Sequence, residues 1–235
     1  NDASATGIGS IDSTGSVNQE AGFSIVSYTG NATAGATVAH GLGSVPKMII
    51  VKDRDAAKNW VCYHQALGND RSIYLNLTNA QSGSTDHWNN TTPTSSVFSL
   101  GNYSHVNTTD DYIAYCFAEK QGYSKFGSYT GNGNADGTFV YTGFKPAFVM
   151  WKKTNGGSEW IMVDSKRNTS NEVDKLLRAN QSSAENTYGA CDFLSNGWKF
   201  RDGDTDFQAS GDTYIFMAFA ENPFVTSTGV PATAR

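Results

Sequence analysis

Three carboxylates alternate along Asp202-Gly203-Asp204-Thr205-Asp206, and a second stretch, Asn132-Gly133-Asn134-Ala135-Asp136, spaces three oxygen side chains before Gly137. Hard calcium ions take several such oxygens from one tight loop. Asp202, Asp204 and Asp206 are therefore the candidate metal ligands, and calcium is the only cofactor this spacing suggests. Both stretches lack the bidentate Glu that closes a twelve-residue calcium loop, and Asn-Gly or Asp-Gly turns are ordinary hairpin chemistry. Trp88, Tyr103 and Tyr188 lie in polar stretches between the strongest strand runs, where binding residues tend to sit. Aromatic faces there stack on sugars while neighbouring Asn, Asp and Ser side chains bond hydroxyls.

Catalysis finds less support, and no enzyme activity is expected. Nucleophilic chemistry needs a Ser or Cys beside a His and an orienting carboxylate, and no G-x-S-x-G signature is present. Paired carboxylates for glycoside hydrolysis are the remaining route, with Asp53, Asp55, Asp110, Asp111, Glu159 and Asp164 the acids that would have to meet. His40, His64, His87 and His105 all fall in the first half of the chain and are expected at surface or turn positions. Cys62, Cys116 and Cys191 show no metal-ligand spacing and read as small buried hydrophobes. Trp60 and Trp160 read as inward anchors of a core.

These residues sit between short apolar runs rich in β-branched and aromatic types, such as Met48 to Val51, Ser72 to Leu77, Tyr112 to Phe117, Thr138 to Tyr141, Phe148 to Trp151 and Tyr214 to Phe219. Gly, Asn, Asp, Ser and Pro bound each run, which is the strand-and-turn pattern. Only Asn171 to Asn180, with Val173, Leu176 and Leu177 at helical spacing, suggests a helix, and a short one. The expected class is all-β.

The runs also repeat. Gly22-Phe23-Ser24-Ile25-Val26-Ser27-Tyr28-Thr29-Gly30 returns as Gly122-Tyr123-Ser124-Lys125-Phe126-Gly127-Ser128-Tyr129-Thr130-Gly131 with one extra residue. Pro46 to Lys52 returns as Pro146 to Lys152, Trp60 as Trp160, and Asp111 to Glu119 as Thr213 to Glu221. Two tandem antiparallel β-sandwiches related by duplication are expected, at residues 22–121 and 122–222. Residues 1–21 read as a tether or joining strand, and 223–235 as a tail.

Composition narrows the partners. Lys and Arg number 17 against 22 Asp and Glu, a net charge of −5, which removes the basic field that nucleic acid binding needs. No apolar run approaches a membrane span, so neither nucleic acid nor membrane insertion is expected. Charged residues make up 17%, below the roughly 25% of an ordinary soluble domain, leaving an uncharged polar surface of Ser, Thr, Asn and Gly. The chain opens at Asn1 without Met, which reads as a processed product or a segment of something longer.

Ser27-Tyr28-Thr29-Gly30-Asn31, then His40-Gly41-Leu42-Gly43 leading through Pro46-Lys47 into a strand, together with the endings Phe117-Ala118-Glu119 and Phe219-Ala220-Glu221-Asn222-Pro223-Phe224, resembles a repeat of tail-fibre and other virion-associated structural proteins of tailed bacteriophages, marine ones especially. The resemblance spans about 200 residues, from Gly22 to Phe224. It implies an extracellular virion component that binds a host-surface receptor or glycan, assembles as a homo-oligomer such as a trimer, and contacts other virion proteins. A capsid decoration protein and a cell-surface lectin or carbohydrate-binding module are the alternatives.

Overall fold

The computed structural model describes residues 1–222, and the segment expected as a tail, 223–235, lies outside the described residues. The described chain is all-β with antiparallel sheets and one short helix, α1 (Ala3–Thr6), whose N-terminus Asp2 caps through the Ala5 N–H. It divides into two units, Asn1–Asn76 with Gln81–Glu119, and Leu77–Ala80 with the chain from Lys120 onward.

The first unit holds β1 (Ser13–Asn18), β2 (Phe23–Thr29), β3 (Ala36–Ala39), β4 (Pro46–Asp53), β5 (Val61–His64), β6 (Arg71–Tyr74), β7 (Ser82–Gly83), β8 (Val97–Leu100) and β9 (Asp111–Ala118). Its larger sheet runs β1-β2-β9-β4-β5-β6-β7, and β3 pairs with β8 in a small second sheet. Alternation of buried and part-exposed residues along β2 and β9 follows from the two-residue period of a strand with one face inward. That face joins β3 and β8 in one core containing Val26, Tyr28, Val38, Phe98, Ile49 and Val51. Residues 1–21 belong to this unit. β1 lies at the end of the larger sheet, paired with β2 from Ser13↔Tyr28 to Asn18↔Phe23.

The second unit holds β10 (Ser124–Thr130), β11 (Phe139–Tyr141), β12 (Pro146–Lys153), β13 (Trp160–Asp164), β14 (Val173–Arg178), β15 (Asn186–Leu194), β16 (Gly197–Phe200) and β17 (Thr213–Ala220). They form one sheet in the order β10-β17-β12-β13-β14-β15-β16-β11, barrel-like in that β16 brings Trp198 against Tyr129 of β10 at 6.3 Å, edge to face. The short helix suggested at Asn171 to Asn180 is instead β14. Pairing with β13 and β15 buries Val173 and Leu176, and this tertiary pairing overrides the local spacing. Residues Leu77–Ala80 group here because Thr78 O accepts from the Ser158 N–H at 2.9 Å and from Lys152 Nζ at 3.0 Å.

The strand order β10-β17-β12-β13-β14 follows the order β2-β9-β4-β5-β6 of the first unit. In both, pairing slips at a proline, between Pro46 and Met48 and between Pro146 and Phe148, where the missing N–H breaks the ladder. Tyr28 stacks on Tyr112 at 5.3 Å and donates to Val106 O at 2.8 Å. Tyr129 stacks on Tyr214 at 4.9 Å and donates to Phe207 O at 2.8 Å. All three cysteines are free and buried, and burial pushes the Cys116 thiol up to about 12. Trp160 is buried as expected, while Trp60 is half-buried against Tyr115.

Candidate functional site

The carboxylate-rich loop of the second unit is built by its own side chains. Asp202 Oδ1 accepts from the Asp204 N–H at 2.9 Å, and Asp204 Oδ1 accepts from the Asp206 N–H at 2.7 Å, two successive Asx turns. Asp206 Oδ1 in turn accepts from Ser158 Oγ at 3.0 Å. One oxygen of each acid is thus committed to shaping the loop. Among the described residues no three His, Cys, Asp or Glu side chains are grouped to hold a metal ion.

What the loop does build is a cleft of about 190 Å³. Ile161 and Leu176, from β13 and β14, and Phe207 form its apolar lining, and Arg178, Asn186, Tyr188, Asp204 and Asp206 supply its polar groups. Tyr188, near the start of β15, stands 43% exposed with its ring edge-to-face on Phe207 at 6.3 Å. Its hydroxyl donates to Asp204 Oδ2 at 2.8 Å, and that bond holds the phenol above its ordinary range, with the Asp204 charge adding to it. The aromatic face is therefore fixed in place while staying open to solvent. Sequence reasoning picked out Tyr188, Asp204 and Asp206, which the fold brings together. It missed Arg178 and Phe207, which only the β14-β15 hairpin and the loop before β17 carry into the same place.

In the first unit the hydrogen bonds from Tyr28 to Val106 and from Tyr129 to Phe207 place Tyr103 where Asp204 lies, each three residues upstream. Tyr103 is 38% exposed and stacks on His105 at 4.8 Å, 11° from parallel. His87 lies beneath, 4.7 Å from the Tyr103 ring, with Nδ1 3.2 Å from Ser72 Oγ. The expectation of surface or turn histidines holds in part: His87 and His105 lie in turns, but His40, His64 and His87 are buried, and only His105 is part-exposed. Burial, with the His105 charge adding, holds the His87 imidazole down to about 4. Ser72 and His87 are both shut away from solvent, so their contact offers no nucleophile.

Trp88 is also corrected. Expected on a binding surface, it is 1% exposed and packs edge-to-face on Tyr63 at 5.8 Å inside the core. Residues 85–90 form turns in which Asp86, Asn89 and Asn90 stay exposed while the His87 and Trp88 side chains turn inward.

The arrangement in the second unit suits reversible binding of a polyhydroxyl ligand. A fixed aromatic edge offers an apolar face, and a guanidinium, two carboxylates and a carboxamide offer donors and acceptors around it. Residues 1–223 match the family described as a domain of unknown function, DUF7483, and the chain belongs to that family. No curated protein and no solved structure matches it.

Proposed function

We propose that the chain is a non-enzymatic structural module of a tailed-bacteriophage virion, outside the cell, that attaches to a host by binding a surface glycan through the second unit's cleft. The observation that carries this reading is the juxtaposition of exposed Tyr188 with Asp204, Asp206 and Arg178 over the Phe207 floor. The turn and strand motifs shared with virion-associated repeats support the setting. An uncharged polar surface supports a hydroxylated partner, and the negative balance argues against nucleic acid. The same reading makes the two units copies of one β-sandwich, supported by the matched strand orders, the two proline slips and the paired tyrosine hydrogen bonds.

Binding is expected without a metal, since Asp202 Oδ1 and Asp204 Oδ1 each accept a loop N–H group and Asp204 Oδ2 accepts from the Tyr188 hydroxyl. Calorimetric titration of the full chain with oligosaccharides from host surface polysaccharide tests the reading. Tyr188→Ala is expected to weaken binding about tenfold, equivalent to about 1.4 kcal/mol, with chelator leaving wild type unchanged and no reducing ends released. Equal affinities for wild type and variant refute the cleft as the site.

A further inference from the structure

β1 is the end strand of the first unit's larger sheet, and its outer edge is only partly covered. Ser13 donates its N–H to Asn1 O at 2.9 Å, and its carbonyl accepts from the Asn1 nitrogen, so the main-chain groups of Ser13 face away from β2. Those groups alternate in direction along an antiparallel strand. Gly15 and Val17 therefore face outward with Ser13, while Thr14, Ser16 and Asn18 face β2. Among the described residues only β2 pairs with β1, and no further main-chain hydrogen bond reaches Gly15 or Val17. The strand, Ser13-Thr14-Gly15-Ser16-Val17-Asn18, carries no charge and no proline, and its register with β2 is unbroken. Charges, prolines and bulges are the devices that keep an edge from recruiting another strand.

A groove of about 310 Å³ runs beside this edge, with Ile8, Gly15, Val17, Val26, Ala39 and Gly41 in its lining. Val17 reaches it from β1 and is 43% exposed, as is Ile8. Gly15 leaves a gap in the same lining. A Cβ there would lie 2.5 Å from Ile25 O and 3.3 Å from Val26 Cα, an approach to β2 that only glycine allows. Along the edge, an exposed valine thus alternates with a place that has no side chain.

An occupant that fits is an extended, uncharged strand with an apolar residue opposite Gly15 and no bulk opposite Val17. β1 itself meets both conditions. In antiparallel pairing about a two-fold axis at Ser16, Gly15 of each copy lies opposite Val17 of the other. These are the residues whose main-chain groups face outward, so each such pair exchanges both of its hydrogen bonds. Residues opposite one another project from the same face of a sheet, which stands each copy's Val17 at the gap beside the other's Gly15. Asn18 falls opposite Thr14, and the chain turns at residues 19–20, before the place that Asn1 holds at Ser13. We propose that β1 pairs with β1 of a second copy, joining two molecules through a continuous sheet. The contact is isologous and closes at the dimer. It stands apart from the glycan reading.

Light scattering after size exclusion tests it, with circular dichroism verifying that each variant folds. The full chain is expected to show twice the monomer mass, and Val17→Lys the monomer mass. Cross-linking reads the register. At Ser16 the copies meet as a non-hydrogen-bonded pair with Cα atoms about 4.5 Å apart, within reach of a disulfide, and the native cysteines are buried. Ser16→Cys is expected to give a covalent dimer on mild oxidation, seen on a non-reducing gel, while Asn18→Cys stays uncross-linked. A monomeric or trimeric full chain overturns the proposal. So does a dimer that Val17→Lys leaves intact, or equal cross-linking of the two cysteine variants.

Discussion

Replacing Lys152 by Met removes a cation buried on β12, whose Nζ donates to Thr78 O at 3.0 Å and Ser158 O at 2.8 Å. Burial holds this ammonium down to about 8 against an ordinary 10.5, with Glu159 and Asp206 pulling the other way. At about 1.36 kcal/mol per tenfold change in proton affinity, the protonated native state is penalised by about 3 kcal/mol. Because the folded pKa is the lower one, the unfolded chain holds the extra proton between pH 8 and 10.5, and the lysine's contribution to stability rises with pH across that window. At pH 7 the variant escapes the penalty but leaves two carbonyls unpaired, at about 1–3 kcal/mol each, so the two proteins are expected to be similarly stable. By about pH 9.5 wild type sheds about 2 kcal/mol of its penalty and the variant none, so the balance moves toward wild type by that amount. Urea unfolding followed by tryptophan fluorescence at the two pH values measures it. Tyrosine ionisation acts on both proteins and cancels. A stability difference that stays constant between the two pH values refutes the reasoning.

Trp88→Ala is expected to destabilise the first unit by about 3–5 kcal/mol through the cavity it opens. Glycan affinity at the second unit should hold. A fully stable Trp88→Ala protein with weakened glycan binding would return Trp88 to the surface role the structure denies it. His87, held down to about 4, is protonated in the unfolded chain first, so stability falls as pH drops through the interval from 6.5 to 4. Over that interval His87→Leu is expected to lose about 3 kcal/mol less than wild type in acid urea titrations, and equal losses contradict it.

The strand runs were legible because each combines β-branched or aromatic residues with bounding turn residues. Met48 to Val51 lies inside β4 and Tyr214 to Phe219 inside β17. Tyr188, Asp204 and Asp206 were legible as polar-loop residues with useful side chains. Arg178 was not, since nothing local marks a strand-end arginine that a later hairpin turns toward a loop 26 residues on. Trp88 misled because polar neighbours signal a loop without signalling which way its largest side chain points. Residues 1–21 concealed their place for a different reason: β1 is held chiefly by backbone hydrogen bonds, and only Ile11 and Ala3 contribute buried apolar side chains. The β14 segment shows the converse, where apolar spacing suited a helix and two flanking strands decided otherwise.

The most direct test of the binding cleft is an amide-resolved nuclear magnetic resonance titration of the full chain with a host-surface oligosaccharide. Saturable shifts concentrated at Arg178, Asn186 to Tyr188 and Asp204 to Phe207 are expected. Saturable shifts that leave those residues untouched and gather elsewhere would contradict the cleft as the site.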